Sequence, residues 1–326
     1  ITKMDLFPGA QLTKRIMKYV DIHPNVLHAL SHSIPIVALE STVISHGMEY
    51  PANVETAKSL EKICIDNDCV PATIAIINGR IKVGLNEESL EILGKREGTV
   101  MKSSIRDLPY ILTKKYSAGT TVACTSAIAT LVGIRVFATG GCGGVHRGPD
   151  WDVSADLKAL FSCPICVVSA GVKAILDIPK TVEALETNGV CVLSVGCEDF
   201  PAFYSRSSGV KSSLVAADAS EAADIICTHF ETLSSGVLLA NPIPEKDEIP
   251  SAVIDLHISR ALKECEELGI KGKDVTPFLL KRVNDLSGGS ALKANIALIR
   301  NNVSVACTVA KKTVEHQVYL FSDKIE

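Results

Sequence analysis

The sequence predicts an α/β protein built as three α/β/α layers, with a largely parallel central sheet. Three observations lead there. Short, β-rich runs, many of them apolar on both faces, alternate with amphipathic helical runs along most of the 326 residues. Hydrophobic residues make up 47% of the chain, and a mean hydropathy of +0.25 indicates a globular core. Polar and reactive residues break into the apolar runs at their ends, where the sites of α/β sheets collect.

The strand candidates, in order, are 35–40 (PIVALE), 72–77 (ATIAII), 80–84, 134–139 (IRVFAT), 165–169, 190–195 and 236–241 (GVLLAN). Helices are predicted at 53–67, 87–94, 105–115, 121–132, 154–161, 172–176, 179–187, 219–229, 251–269 and 288–301. The helix at 251–269 shows the reasoning: apolar residues at 253, 254, 256, 258, 261, 262 and 268 are separated by charges, and Gly269 caps it. The stretch 241–250 is the most linker-like, yet too short to divide the chain. We therefore expect one domain over 34–310, with a small hairpin excursion near 72–84. An N-terminal extension or helix would occupy 1–33, and a C-terminal tail 311–326.

Composition excludes several classes. A net charge of −4 and an aromatic content of 5% leave no footprint for a nucleic-acid polymer. No apolar stretch reaches the roughly 18 residues of a membrane span. The 11 cysteines are odd in number and mostly embedded in apolar runs, which reads as a reduced, intracellular and cytoplasmic protein. Cys163-Pro-Ile-Cys166 is the only CxxC and lacks the second ligand pair of a structural zinc site. The chain starts with Ile1, so we expect a missing or processed N-terminus. The basic, weakly amphipathic segment 12–19 is either a solvated helix or the remnant of a transit peptide, which keeps organellar targeting open.

Lys173 follows an apolar strand that breaks at Ser169 and Gly171 and runs on into Val172, Ala174 and Ile175. Burial would lower the pKa of such an amine, and a neutral lysine can form a Schiff base with a sugar carbonyl. A lysine snorkelling from a helix end is the plain alternative. Glu40 ends the strand 35–40, where desolvation would suit it to general-acid work, or a structural ion pair would hold it. Lys102 and Arg106 flank Ser103-Ser104, a phosphate-binding arrangement in which Ser104 can equally cap a helix. Thr120, Thr121 and Thr125 open a helix whose N–H groups can hold an anion or a base edge, with plain capping as the alternative.

The densest segment is Thr139-Gly-Gly-Cys-Gly-Gly-Val-His146-Arg-Gly148, followed by Asp150, Asp152, Ser154 and Asp156. Its glycines let the backbone approach a ligand closely. It matches neither a dinucleotide fingerprint nor a Walker loop. One of the carboxylates could hold a divalent metal through its waters while the other handles substrate protons; a glycine loop running into an Asp/Ser cap is the alternative. Asn295, one turn into the helix after Gly288-Gly289, offers a paired donor and acceptor to a uracil-like edge, unless its amide is satisfied by backbone.

Taken in order, these blocks resemble the pseudouridine-5′-phosphate glycosidase family, which includes the indigoidine-synthase-A-like proteins. The resemblance runs from about residue 36 to 305 through ALESTVISHGMEYP, VPATIAIINGRIKVGL, RDLPY, GTTVACT, GIRVFATGGCGGVHRG, DVSADL, VVSAGVKAILDIPKTVEALET, FPAFYSRSSG, VTPFLLKRV and GGSALKANIALI. It implies an enzyme of nucleotide catabolism that reversibly cleaves the C–C glycosidic bond of pseudouridine 5′-phosphate to uracil and ribose 5-phosphate. It further implies Lys173 as the nucleophile on ring-opened ribose C1′ and Glu40 as proton donor. Lys102 would bind substrate, with Thr121, Val122, Ser154, Ala155 and Asp156. Asp152 would hold a divalent metal, typically Mn2+. Thr139, His146 and Asn295 match further pocket positions, and the family implies a homotrimer.

The chemistry agrees with the residues. A C–C glycosidic bond has no leaving-group oxygen, so two carboxylates alone do not suffice. A lysine can trap the opened sugar at C1′, and uracil C5 then needs a proton, a task for Glu40. Asp156 is placed by sequence to manage the ring-oxygen proton. One departure matters: the loop between His146 and Asp152 is about two residues shorter than the family's usual length. Asp150 could then compete with Asp152 for the metal. Cys142 stands where the family usually has Ile. A Schiff-base aldolase for another sugar phosphate, or a phospholigand-binding accessory protein, are the competing readings.

Overall fold

The computed structural model describes residues 15–148 and 152–322. Its strands are β1 (Val20–Ile22), β2 (Ile36–Leu39), β3 (Val70–Ile77), β4 (Arg80–Val83), β5 (Val100–Ser103), β6 (Ser117–Thr120), β7 (Val136–Ala138), β8 (Cys166–Ser169), β9 (Cys191–Val195), β10 (Leu214–Ala216) and β11 (Val237–Ala240). Its helices are α1 (Pro24–Ser31), α2 (Ala52–Asp66), α3 (Glu87–Lys95), α4 (Leu108–Lys114), α5 (Val122–Val132), α6 (Ala155–Ser162), α7 (Ile178–Thr187), α8 (Ala219–Thr232), α9 (Ser251–Glu267), α10 (Val275–Leu286) and α11 (Ser290–Ser322).

The main sheet runs β3-β2-β7-β8-β11-β9-β10, and every pairing in it is parallel. This is the largely parallel, helix-covered sheet that the alternation predicts. Its central strands β2, β7, β8 and β11 are buried along their whole length, as a sheet covered on both faces requires. β3 is longer than its partner β2. Its first half pairs with β2, and its second half turns antiparallel to β4 and β6. The expected hairpin excursion is therefore present, and it opens into a small mixed layer with β1 and β5.

Local chemistry sets the helix ends. Thr121 caps α5 by accepting from Cys124 N at 3.3 Å, and Gly133 closes it at φ 91°. Asp177 and Asp218 cap α7 and α8 in the same way. Pro24 starts α1 at its first turn, where a missing N–H costs nothing.

Four differences from the expectations have physical causes. The apolar run 172–176 is loop rather than helix: its amides pair with the glycine loop, as in Lys173 N to Cys142 O at 3.0 Å. It is apolar because that loop is inside the core. β6 reads SAGT, small and polar, and burial rather than propensity makes it a strand; β5, VMKS, is mostly half-buried and pairs with it in parallel. α11 continues far beyond residue 301, through a β-branched stretch that packs against α8 and α2. The linker-like 241–250 begins with buried Asn241 and Ile243 and lies over the domain. Among the described residues, no helix is long and apolar enough to cross a membrane. All the cysteines are free, Cys163 and Cys166 included.

Candidate active site

The parallel strands aim their carboxyl ends at one cavity of about 730 Å³. Glu40 is the first residue past β2. Thr42 and Thr139 each donate a hydroxyl to one of its carboxylate oxygens. Thr42 was not anticipated, although it lies in the quoted ALEST block. Thr139 is the first residue past β7, fixed by its N–H to Val168 O at 3.0 Å. A π-helical turn, Val43–Gly47, follows Glu40 and forms part of the cavity wall.

Lys173 lies past β8 on a loop that runs beside the glycine loop. Ala170 N donates to Gly140 O at 2.9 Å, Cys142 N to Gly171 O at 3.1 Å and Lys173 N to Cys142 O at 3.0 Å. These bonds extend the β7–β8 ladder beyond the strands. The half-buried Lys173 Nζ donates to Gly141 O at 2.6 Å. Gly141 has to be glycine, because a Cβ there would stand 2.6 Å from the Phe203 ring. Phe203 holds a left-handed backbone at φ 65°, a strained state for an aromatic residue, secured by its N–H to Ala170 O at 3.1 Å. Phe203 and Tyr204 both line the cavity. They lie in the quoted FYS block, but nothing local in the sequence marked them as wall residues.

Asp156 is buried where two helices begin. Its Oδ1 accepts from Ala123 N in the first turn of α5, and its Oδ2 from Gly143 N, each at 2.8 Å. Ser154 caps α6, accepting from Asp156 N at 3.2 Å. A Cβ on Gly143 would fall 2.2 Å from Ser154 Oγ, so the glycine is what lets loop and helix meet. Asp156 thus ties Val122, Ala123, the glycine loop and α6 into one rigid wall.

Lys102, on β5, is largely withdrawn from water, and no acceptor or carboxylate among the described residues bonds it. Burial lowers its pKa from the ordinary 10.5, and Lys173 pushes the same way, against Asp156, Glu40 and Asp274. His146 is also held below its ordinary 6.5 by burial, which the nearby Asp152 opposes and the two lysines reinforce. Asn295, on α11, buries an Oδ1 that has no hydrogen-bond partner among the described residues. A buried acceptor left open on a cavity wall is a place for a ligand N–H.

Glu40, Lys102, Thr121, Val122, His146, Asp152, Ser154, Ala155, Asp156, Lys173 and Asn295 all line this one cavity. Thr139 stands behind Glu40 instead. Arg106 lies on the rim, three-quarters exposed beside Asp107. Asp150 lies outside the described residues. Among those described, no three His, Cys, Asp or Glu side chains converge to hold a metal.

The family model for indigoidine synthase A like protein matches residues 25–312. A pseudouridine-5′-phosphate glycosidase of Deinococcus radiodurans is 52% identical over 299 residues, covering 91% of this chain and 95% of that protein. One from Caldanaerobacter subterraneus subsp. tengcongensis is 50% identical over 296 residues, covering 90% and 96%. Among solved structures, a prealnumycin C-glycosynthase in complex with ribulose 5-phosphate superposes with a TM-score of 0.85 at 35% identity, covering 93% of this chain and 99% of that one. An indigoidine synthase A-like protein from Thermotoga maritima gives 0.82 at 34% identity, covering 90% and 96%.

Proposed function

The chain belongs to the indigoidine synthase A-like family, and from that premise we propose that it reversibly cleaves pseudouridine 5′-phosphate to uracil and ribose 5-phosphate. One observation carries the reading: a lysine, a hydroxyl-clamped glutamate and a half-buried lysine with no bonded partner among the described residues share a single cavity of nucleotide size. In cleavage, Lys173 Nζ attacks C1′ and the ring oxygen leaves, taking up the proton that the nitrogen gives up. Glu40 protonates uracil C5, the C1′–C5 bond breaks, and the nitrogen lone pair closes an iminium at C1′. Water hydrolyses the iminium and returns the amine. Synthesis runs the same steps backward, with Glu40 removing the C5 proton. The Thr42 and Thr139 hydroxyls can donate to the carboxylate or rotate to accept from the acid, so they serve both directions. Asp156 holds the wall through its bonds to Ala123 N and Gly143 N, and managing the ring-oxygen proton is its proposed second role. Asn295 Oδ1 suits a uracil N–H. Incubating the protein with uracil, ribose 5-phosphate and manganese tests the activity: accumulation of pseudouridine 5′-phosphate supports it, and an aldol product or mere binding would replace it.

Lys102 is proposed to meet the substrate phosphate, with Ser154 and the glycine-loop amides near it. Lys102→Met should weaken ribose 5-phosphate binding about 10- to 100-fold, the worth of a charge-assisted hydrogen bond. It should also raise the melting temperature of the free protein, because a half-buried ammonium with no bonded partner among the described residues is removed. The pH dependence has a definite sign. The folded pKa lies below 10.5, so the unfolded chain binds the proton more tightly. Stability of the free protein therefore rises with pH through the folded pKa and levels off near the unfolded one. A bound phosphate dianion restores the proton, so affinity should fall as pH climbs through the same range. Calorimetry in buffers of different ionisation enthalpy would register proton uptake on binding there; its absence, with unchanged affinity in Lys102→Met, would return Lys102 to a structural role.

The donor set limits how a metal would sit. With no cluster of protein ligands among the described residues, the wall residue Asp152 fits a single carboxylate holding Mn2+ through water. When bound, such an ion would supply positive charge to sugar or phosphate oxygens. Asp152→Ala should abolish Mn2+ binding, followed by calorimetry, and metal-dependent activity, while the melting temperature holds. If Asp150→Ala does this instead, the shortened loop has moved the ligand. A homotrimer in a reducing cytoplasm completes the proposal, and sedimentation measures the first part directly.

A further inference from the structure

Two asparagines outside the cavity are joined to it by one line of hydrogen bonds. Asn241 lies just past β11, where its N–H donates to Ser169 O at 2.8 Å. Its Nδ2 donates to Asn302 Oδ1 at 2.9 Å. Asn302 Nδ2 donates to the Thr139 carbonyl at 2.8 Å and reaches the Gly140 carbonyl at 3.4 Å. The Thr139 hydroxyl then donates to Glu40. Asn302 is 0% exposed and Asn241 5%.

Asn302 sits among Leu298, Ile299, Val303 and Ala306 on the buried face of α11. A buried amide on such a face is unfavourable unless both its ends are satisfied. Here both are, and the orientation is set: Asn241 occupies the oxygen, so the nitrogen must face Thr139. β7 ends at Ala138, and past it the Thr139 carbonyl meets α11, where Asn302 supplies its donor, while the Gly140 carbonyl takes its main bond from Ala170 N at 2.9 Å. Asn302 also lies seven residues, close to two full turns, after Asn295. The clamp therefore fixes how α11 lies on the glycine loop. Lys173 is held mainly by the ladder between its own loop and residues 140–142, which meets the Asn302 amide only at the Gly140 carbonyl, through the longer 3.4 Å contact.

We propose that Asn302, oriented by Asn241, is a positioning residue for proton transfer: it locks the Thr139 backbone so that the Thr139 hydroxyl holds Glu40 at uracil C5. Adduct formation at Lys173 does not pass through this clamp. The inference rests on the proposed activity, and the wild-type enzyme separates the two. A wild type that forms no pseudouridine 5′-phosphate overturns the activity and this assignment together.

With an active wild type, Asn302→Asp keeps the size and the acceptor for Asn241 but faces the Thr139 carbonyl with a second acceptor. Uracil C5 deuterium exchange in the presence of ribose 5-phosphate should fall about 10- to 100-fold. The borohydride-trapped adduct on Lys173 and the KM for ribose 5-phosphate should stay within about twofold. Asn302→Ser, which keeps a small donor, should recover part of the exchange. Asn241→Asp should reproduce the selective loss more weakly, and it serves if Asn302→Asp fails to fold. Exchange at the wild-type rate in both Asp variants, or equal loss of adduct and exchange, would overturn the assignment; a merely structural amide predicts the second.

Discussion

Lys173→Ala is expected to abolish pseudouridine 5′-phosphate formation and the borohydride-trapped ribose 5-phosphate adduct together, with kcat/KM down on the order of 10³-fold or more. The geometry explains why the loss should be that large and why folding should survive it. The backbone of Lys173 is part of the ladder with the glycine loop, and alanine leaves that ladder whole. The amine has one hydrogen bond, to the Gly141 carbonyl at 2.6 Å. A carbonyl accepts from the amine without pairing it as a carboxylate would. Only one other described lysine, Lys102, lines the cavity with its amine withdrawn from water, and burial with Lys173 beside it lowers its pKa. That makes Lys102 the rival nucleophile on chemical grounds. Peptide mass mapping decides between them: the mass increase belongs on the Lys173 peptide, and Lys102→Met should still form it at saturating sugar phosphate. An adduct on the Lys102 peptide, or an active Lys173→Ala enzyme with an unchanged melting temperature, would refute this mechanism.

How far the chain could be read by eye follows the range of each interaction. The central strands are near-continuous apolar runs between turn residues, so β2, β7, β8 and β11 are legible to within two residues of their ends, and with them Glu40, Thr139 and Lys173 near the carboxyl edge. Caps are equally local, which is why Thr121 and Ser154 stand where their spacing puts them. What failed to show is what distance creates. β6 has little strand propensity, and it is a strand because β3 and β5 flank it. The segment 172–176 looked helical because buried loops are as apolar as buried helices. Phe203 has an ordinary sequence context, and neither its left-handed backbone nor its close approach to Gly141 is written locally. Asn302 meets the Thr139 carbonyl across 163 residues, and no local pattern encodes that contact.

Glu40→Ala is expected to separate two steps that Lys173→Ala loses together. In the proposed mechanism the acid acts on uracil C5 and the amine on C1′, so the variant should still form the reducible adduct with ribose 5-phosphate. Exchange of the uracil C5 proton, and net pseudouridine 5′-phosphate formation, should drop about 10²- to 10⁴-fold, the span of a positioned general acid–base. The clamp around Glu40 sharpens the test. Thr139→Val removes one of the two hydroxyls that hold the carboxylate and leaves the acid in place, so it should lose exchange by a smaller factor, about 10-fold. Thr42 still holds the other oxygen, which is why a partial loss is expected rather than a complete one. The order adduct-competent but exchange-dead for Glu40→Ala, then exchange-slowed for Thr139→Val, follows only if Glu40 works through its orientation toward C5. If Glu40→Ala instead loses the adduct, and with it the exchange that depends on the adduct, the glutamate serves sugar opening and the proton at C5 is left to another wall residue, with His146, an imidazole kept short of its usual basicity by burial, the next side chain to replace.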